Sequence, residues 1–410
     1  MKISFRLNDE ERICNVLGML FLSLYIVNIL PGFEVSWGIP HALASMIMKL
    51  VLGSGFFSCI DVVFRRFKKK LLIYCLITAA IIFTSVLFFP SNNVVFKYTS
   101  SYFLVNCLLP MVFFGMVHDF QLLKQKLLKI SEIIAILTMI VLVLKIAAPR
   151  LGGEFSLGYY SMGFGYACLV PMLFLMFEFV QNPNVKYGLY VVVMLLAIMS
   201  LGSRGPLVGI LSFAIIAFIK INHEKRKNVR ILLGFLAGLF FVFFSSSLFT
   251  FLYYLLYEIG IDSRTLIMFA NHNIGYMSGR DELYEFFIQE IVSNPFIIRG
   301  INRDQALGFN YPHNVFLELL YQLGIILGGL IAGSIVFKAY KALKSKHMNT
   351  DPKQQLEIIF MCASLSTLMI SGTLWKLINF WIWIAISNNK SREYKKLERE
   401  HRNESTAYYA

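Results

Sequence analysis

The sequence lacks several features that would predict a soluble or metal-dependent enzyme. Its six cysteines show no paired spacing, so neither a disulfide framework nor a cysteine-based metal site is indicated. It has no glycine-rich loop followed by Lys-Ser or Lys-Thr, which leaves nucleotide-driven chemistry unsupported. No carboxylate cluster with the spacing of a divalent-metal site occurs in the segments expected outside. We therefore expect no metal and no cofactor.

Charged residues are also scarce, at 15% of the chain against 57% hydrophobic residues. Apolar runs of the ~20 residues that cross a hydrocarbon core recur along the 410 residues. The pattern predicts an all-α, polytopic integral membrane protein. A cleavable signal peptide is not expected, since residues 1–12 are mixed in charge and no small-residue cleavage pattern follows the first apolar segment.

We expect about twelve membrane-spanning helices, which would put both termini on one side. The predicted spans are 12–31, 40–63, 71–89, 100–117, 130–148, 159–180, 187–201, 206–221, 231–255, 313–337, 356–371 and 376–388. One long external loop, at about 256–312, would form a cap between spans nine and ten. No linker or repeat marks a second domain, so we interpret 1–410 as one membrane domain.

The lysines and arginines test this topology, because they concentrate in cytoplasmic segments. Every basic cluster falls on the side of the N-terminus, at 65–70, 124–129, 225–230, 338–346 and 390–402. The net charge of +14 therefore indicates a bilayer and not nucleic acid as the partner. The external basic residues are exceptions that need a reason: Lys97, Arg150, Arg204, Arg264, Arg280, Arg299, Arg303 and Lys376.

Within the external loop, Ser278 and Asp281 resemble a helix N-cap and its partner. The apolar residues Leu283, Phe286, Phe287 and Ile291 then share one helical face, and Asn294-Pro295 would end the helix. We expect this helix to lie along the membrane surface with its apolar face down.

His313 follows Pro312, a residue favoured at the first position of a helix, so His313 and Asn314 are expected in the first turn of span ten. The positive end of a helix dipole attracts anions and disfavours a charged imidazole, which suits a general base. Glu318 shares a face with Asn314. The alternative is an interfacial histidine and a buried carboxyl with a structural partner, although ionisable groups inside spans are functional by default.

Arg280 is expected in the first helical turn, where a cation is unfavourable unless it faces an anion such as phosphate. Asp281 and Glu282 offer a structural alternative. Arg204 lies in the tight turn Gly202–Pro206, whose backbone N–H groups could bind a diphosphate together with the guanidinium. Its alternative is an arginine that snorkels from a helix end.

Together these residues resemble the O-antigen polymerase and O-antigen ligase superfamily of bacterial envelope glycosyltransferases. The resemblance rests on Ser203-Arg204-Gly205, on Gly279-Arg280 leading to Asn294-Pro295, and on Pro312-His313-Asn314 with Phe316-Leu317-Glu318. It covers about residues 190–335. Tyr284 stands where family members usually have Trp, and the Gly-x-Gly pattern after the Pro is reduced to Gly300 with Asn302.

The resemblance implies a glycosyltransferase architecture of the GT-C type in the bacterial inner membrane, with a periplasmic active site and cytoplasmic termini. The implied reaction is metal-independent, inverting transfer from an undecaprenyl-diphosphate-linked glycan to a glycan acceptor. Arg204 and Arg280 would bind the diphosphate and His313 would activate the acceptor hydroxyl. We expect further substrate contacts from the residues Asn314, Glu318, Arg299, Arg303 and Tyr284.

The residues of the Ser-Arg-Gly-Pro and His-Asn-x-Phe-Leu-Glu motifs favour a polymerase, with a carrier-linked repeat unit as acceptor and a chain-length regulator as a further partner. The first alternative is a ligase that transfers the glycan to lipid A core. A transporter that flips lipid-linked sugars is a different class, which predicts repeated halves and a midplane cavity. A structural membrane scaffold is a third interpretation, and the external arginines argue against it.

Overall fold

The computed structural model describes residues 8–37, 46, 50, 53–93, 103–147, 162–201, 204–220, 234, 246–258, 280–309, 311–345, 348 and 350–389. Within these residues the secondary structure is helical, without strands. The helices are α1 (Asp9–Trp37), α2 (Ile60–Phe88), α3 (Leu109–Met116), α4 (Phe120–Ala147), α5 (Met162–Gln181), α6 (Val185–Leu201), α7 (Arg204–Lys220), α8 (Ser246–Glu258), α9 (Arg280–Ser293), α10 (Arg303–Ala306), α11 (Val315–Lys344), α12 (Pro352–Ile370) and α13 (Ile378–Asn388). A 3₁₀ turn follows α2 at Pro90–Asn92, and a π-helix at Phe103–Leu108 leads into α3.

The prediction of an all-helical membrane protein is confirmed. Among the helices that the structure describes, five contain segments long and apolar enough to cross a membrane: Asp9–Leu30, Lys69–Phe88, Phe120–Lys145, Met162–Gln181 and Val315–Lys344. The predicted spans one, three to eight and ten to twelve each fall on a described helix. Eleven of the 24 residues of span two, and residues 231–245 of span nine except 234, lie outside the described residues, so the number twelve stays a prediction.

The basic stretch at 65–70 is not the loop that we predicted between spans two and three, because it is part of the continuous helix α2. Lysine and arginine are good helix formers, and here the arginines have acidic partners. Arg65 bonds Asp9 of α1 at 3.2 Å, and Arg12 bonds Asp61 of α2 at 2.8 Å. The basic cluster is thus held against the acidic first turn of α1.

Helix α12 lies at the centre of the described bundle and is buried over most of its length. It packs against α13, α7 and α5, among others. Small residues let helices approach closely in a membrane, where apolar burial alone gives no driving force between them. Gly209 of α7 shows this: an added Cβ would lie 2.6 Å from the Ser366 hydroxyl oxygen and 3.1 Å from Leu169. The first turns of α7 are therefore fixed beside the C-terminal end of α12.

Helix α11 is broken at Gly324, which has φ +72° and ψ 168°, a conformation open only to glycine. Beyond the break the helix turns back, so that a Cβ on Gly328 would clash with the backbone of Leu319. The residues after Gly324 have many exposed apolar side chains, whereas Glu318, Leu319, Tyr321 and Gln322 are buried. The predicted tenth span therefore divides into a short inner segment, 315–323, and a longer segment, 325–344, that can cross the bilayer.

The segment after α9, part of the loop predicted to be external, folds onto the break in α11. Ile325 donates its N–H to the Pro295 carbonyl at 2.7 Å, and the N–H groups of Arg299 and Gly300 both donate to the Gln322 carbonyl at 2.9 Å. These bonds satisfy backbone groups that the broken helix leaves open. They also fix the loop that follows α9.

Helix α9 is amphipathic, as predicted, but its apolar face packs on protein and not on the bilayer. Phe287 and Ile291 are buried against Tyr321 of α11, and Leu283 and Phe286 flank them. Ser278, the predicted N-cap, lies outside the described residues. The cap is thus joined to the short inner segment of α11, the same segment that His313 precedes.

Candidate functional site

His313 lies just before α11, in a loop pinned to the end of α12. Its φ of +56° is unusual for a residue other than glycine. Its ring Nδ1 is 3.2 Å from the carbonyl oxygen of Ile370, and its ring centroid is 4.3 Å from that of Tyr311. Tyr311 in turn donates its hydroxyl to the Ser371 carbonyl at 2.6 Å. When Nδ1 donates to Ile370, the other ring nitrogen, Nε2, keeps its lone pair.

The surroundings keep this imidazole neutral. Partial burial is the main cause, and the positive charge of Arg280 adds to it; together they lower the pKa of His313 from 6.5 to about 4. The bond to the Ile370 carbonyl acts in the opposite direction. A neutral histidine at pH 7 can accept a proton, as a general base must.

Arg280 and Tyr284 approach His313 from α9. Arg280 is the first residue of that helix and is only partly exposed. Tyr284 donates its hydroxyl to the His313 carbonyl across a long 3.4 Å, and burial raises the pKa of this phenol. The structure therefore brings the predicted cation Arg280 close to the predicted base His313. Tyr284, on the same helix as Arg280, connects that helix to the His313 backbone.

Arg204 is the first residue of α7, and the contacts of its neighbour Gly205 show what lies next to this end of the helix. A Cβ on Gly205 would collide with the Tyr166 hydroxyl and lie 3.4 Å from the side chain of Ile370. Ile370 is the residue whose carbonyl holds His313. The backbone at Arg204 is thus beside the residue that anchors the histidine, while Gly202 and Ser203 of the predicted turn lie outside the described residues.

Asn314 caps α11. Its side-chain oxygen accepts from the N–H groups of Phe316 at 2.9 Å and Leu317 at 3.4 Å. The helix accordingly starts at Val315, so His313 and Asn314 precede it and do not occupy its first turn as predicted. A cap of this kind explains Asn314 without a substrate. Its predicted substrate contact stays a prediction.

Glu318 is 1% exposed and bonded inside the protein. It accepts from the Thr373 hydroxyl and from the Leu374 N–H at 3.2 Å. Both donors belong to residues 371–377, which connect α12 to α13 and which we call the 371–377 loop. Glu318 shares the predicted polar stripe with Asn314, but at this depth its described contacts are with protein groups.

The two remaining predicted arginines bind other parts of the cap. Arg299 donates to the Glu290 carbonyl at 2.7 Å and lies 4.8 Å from the centre of the Tyr321 ring. Arg303 donates to the Ser91 hydroxyl at 3.0 Å, in the turn after α2. They tie the cap to α9, α11 and α2, and their predicted substrate contacts stay predictions.

Sequence reasoning missed a buried polar network beneath the site. Gln322 donates to Asp304 at 2.8 Å and accepts from the Trp375 indole at 2.8 Å. Burial raises the pKa of Asp304 to about 6, and burial lowers the pKa of Lys376, which bonds Gln305 at 2.9 Å. The i, i+4 spacing of Glu318 and Gln322 within an apolar run was the available signal for this network.

A groove of about 690 Å³ opens between α2 and α11 under the cap. Its walls include Phe88 and Phe89 from the end of α2, Leu327 and Ile331 from α11, and Trp375 from the 371–377 loop. Its lining is almost wholly apolar and does not include His313 or Arg280. The 371–377 loop contributes Trp375 to the groove, and its Ser371 carbonyl accepts from Tyr311 beside His313.

Among the described residues, no group of three or more His, Cys, Asp or Glu side chains is placed to hold a metal ion. Comparison with protein families gave a match over residues 189–332, roughly a third of the chain, to the family described as O-antigen ligase. This segment contains α7, α9 and all the predicted site residues. No curated protein and no solved structure matched the chain.

Proposed function

We propose that this chain, whose residues 189–332 match the O-antigen ligase family, polymerises glycan repeat units carried on undecaprenyl diphosphate. The family supports an enzyme of the glycosyltransferase kind that acts on lipid-linked glycans in a membrane. The observation that carries the finer proposal is the approach of Arg280 to a neutral His313 at the C-terminal end of α12.

In the proposed reaction an acceptor hydroxyl attacks the anomeric carbon of the donor glycan. The bond from that carbon to the diphosphate oxygen breaks, the hydroxyl proton passes to Nε2 of His313, and the configuration inverts. Arg280, with Arg204 from the adjacent helix end, would stabilise the negative charge that grows on the leaving diphosphate. Oriented binding of two membrane-held substrates would contribute much of the remaining acceleration.

The apolar groove supports a lipid-linked donor. Its volume of about 690 Å³ lies between helices that expose apolar residues along their length, so a hydrocarbon chain can enter from the bilayer. Trp375 lines the groove and is five residues from Ile370, which limits their Cα separation to about 18 Å. A carrier chain in the groove would thus keep its diphosphate within reach of the site.

We place the protein in the bacterial inner membrane, with both termini cytoplasmic and the site facing the periplasm. The distribution of basic residues supports this orientation. The acidic first turn of α1 and the basic stretch of α2 meet at the end that this orientation assigns to the cytoplasm. A chain-length regulator is a proposed additional partner.

A ligase is the second candidate, because the matched family is described by that activity. It would use the same donor, base and arginines and differ only in the acceptor, lipid A core. A flippase for lipid-linked sugars remains a hypothesis of another class; it predicts transport without any change in glycan length.

The test uses purified protein with a synthetic undecaprenyl-diphosphate repeat unit, in the presence of EDTA. Wild type is expected to give a ladder of longer carrier-linked glycans, which His313→Ala and Arg280→Ala lose. Donor consumption only after addition of lipid A core would establish the ligase instead. Full activity in both variants would refute the site, and transport without transfer would establish the flippase.

A further inference from the structure

The 371–377 loop is held from two sides. On its outer side its neighbour Ile370 accepts from His313, and Ser371 accepts from Tyr311. On its inner side Thr373 and Leu374 donate to Glu318. One short loop therefore joins the buried carboxylate to the backbone that orients the histidine.

Burial makes the inner contact expensive to replace. Glu318 is 1% exposed and Thr373 is 4% exposed, so water cannot substitute for a lost partner. A buried carboxyl group whose oxygens lose their hydrogen-bond partners is strongly disfavoured, which keeps both oxygens of Glu318 bonded in the folded state. The loop therefore has little freedom to shift while Glu318 keeps its two donors.

The other bonds to the loop do not reach Glu318: the carbonyl groups of Trp375 and Lys376 accept from Cys107 at 3.2 Å and from Asn106 at 2.9 Å. Asp304, Gln322 and Trp375 form their own chain, which connects α10, α11 and the end of the same loop. Gln322 reaches Glu318 only at 3.5 Å, the limit for a hydrogen bond. The hydroxyl of Thr373 and the N–H of Leu374 are the close donors to Glu318 among the described residues.

We propose that Glu318 is a positioning residue and not a substrate ligand: through Thr373 and Leu374 it fixes the loop whose adjoining carbonyl groups orient His313. The bond to the Ile370 carbonyl then holds the ring with Nδ1 inward and Nε2 toward the acceptor. This rests on the proposed role of His313 as the base. A displacement of a few tenths of an ångström in the loop would misdirect the ring, and the cost would be a slower proton transfer.

Two substitutions at Thr373 separate this role from general stability. Thr373→Ser keeps the hydroxyl that Glu318 accepts from, and Thr373→Val removes it at nearly constant volume. We expect Thr373→Val to lower kcat ~10-fold, the effect of about 1.4 kcal/mol on the barrier, with KM changed less than twofold. Thr373→Ser should retain wild-type kcat.

Glu357→Gln is the matched control. Glu357 is also a buried carboxylate, and it accepts from a hydroxyl, that of Ser387, toward the opposite end of α12. Glu357→Gln should lower the thermal unfolding temperature about as much as Thr373→Val does, and it should leave kcat unchanged. If Glu357→Gln slows the reaction as much as Thr373→Val, the effect is one of stability and the proposal is wrong.

A second readout does not need enzymatic activity. Diethyl pyrocarbonate modifies neutral imidazole, and mass spectrometry of the His313 peptide gives the rate and its pH midpoint. Arg280 acts on this ring electrostatically, the Tyr311 ring packs beside it and the Tyr284 hydroxyl bonds the His313 carbonyl. None of the substitutions changes these three residues. We expect faster modification and a midpoint moved toward 6.5 in Thr373→Val, but not in Thr373→Ser or Glu357→Gln.

These results separate the two proposals. If wild type transfers no glycan but Thr373→Val still changes the modification of His313, the positioning role stands and the proposed function fails. If wild type is active and the Thr373→Val variant matches Thr373→Ser in both kcat and modification, the positioning role fails.

Discussion

At the residue scale, the chemistry of His313 comes from its surroundings more than from its place in a motif. Partial burial and the Arg280 charge disfavour the imidazolium, while the Ile370 carbonyl fixes which ring nitrogen is free. The same guanidinium that would bind a departing diphosphate therefore keeps the base unprotonated. The two roles are compatible because the anion would face the arginine only when substrate is bound.

The pH dependence of transfer follows from this lowered pKa. We expect kcat/KM to rise as pH passes through about 4 and to be constant near neutral pH, because His313 is already neutral there. His313→Asn should lower the rate by ~10²–10⁴-fold. His118→Asn, at an exposed histidine before α4, is the control and should keep the wild-type profile. An acidic limb centred at 6.5 would contradict the assignment.

The same pKa predicts how the folded state responds to acid. Between pH 6.5 and about 4 the unfolded chain binds a proton at His313 that the folded chain does not, so stability falls as pH is lowered through this window. His313→Asn should remove this contribution. Thermal unfolding of both proteins at several pH values measures it, and equal slopes would show that His313 is not the group responsible.

Asn314 allows capping to be separated from substrate contact. Asn314→Ala should cost about 1 kcal/mol of stability, since the N–H groups of Phe316 and Leu317 lose their acceptor. Asn314→Ser is the control, because serine is also a good cap. We expect it to unfold like wild type and to transfer glycan normally. Wild-type stability with lost activity would instead establish the predicted substrate contact.

At the element scale, the break in α11 determines how the cap meets the membrane helices. The positive φ of Gly324 lets the short segment 315–323 leave the direction of the segment 325–344. The loop after α9 fills the break through Pro295, Arg299 and Gly300. A straight helix would leave these backbone groups without their present partners, so cap and break depend on each other.

Gly324→Ala tests this dependence. The alanine would hold a strained backbone and place its Cβ 3.1 Å from the Phe296 carbonyl oxygen and 3.2 Å from that of Ile297. We expect Gly324→Ala to lower the free energy of unfolding by about 1–3 kcal/mol and to make proteolysis of the cap faster. Gly329→Ala is the control, because its Cβ would meet nothing within 4 Å, and it should be neutral or slightly stabilising. Equal unfolding temperatures for the two variants would contradict the break.

The groove offers a matched pair on the same helix. Leu327→Trp would fill it, since Leu327 lines it, whereas Leu330→Trp alters a side chain that is 68% exposed and does not line it. We expect the first variant to raise the KM for a long-chain donor ~10-fold and the second to leave KM unchanged. With a donor that has a shortened prenyl chain, the KM values of the two variants should differ less. Equal KM values in the two variants would exclude the groove as the site of the carrier chain.

At the scale of the whole molecule, the sequence predicted the helical membrane class better than it predicted the contacts between helices. Apolar runs identified helices, and Arg280 with His313 was identified because ionisable groups are rare at such positions. The break at Gly324 was missed because glycine is tolerated in membrane helices without breaking them. Thr373 was missed because a hydroxyl carries no charge signal, and the pairing of Arg299 with Glu290 depends on how α9 docks.

The proposed orientation can be tested with two cysteines at opposite ends of the bundle. In a Cys75→Ser background, where the remaining cysteines are buried, Gln289→Cys on exposed α9 should react with an impermeant maleimide in cells with a permeabilised outer membrane. Val185→Cys, 87% exposed at the start of α6, should react only after the inner membrane is opened. The opposite result would invert the topology.

The break in α11 also bears on the order in which the molecule is built during synthesis. The bonds between the cap and α11 join residues about 25 positions apart, from Arg299 to Gln322 and from Pro295 to Ile325. They can form as soon as α11 leaves the ribosome and enters the bilayer. The carbonyl that holds His313 belongs to Ile370, which is made later. We therefore expect chains that end before α12 to dock their cap but to have an unfixed histidine, so that only a finished chain can begin transfer.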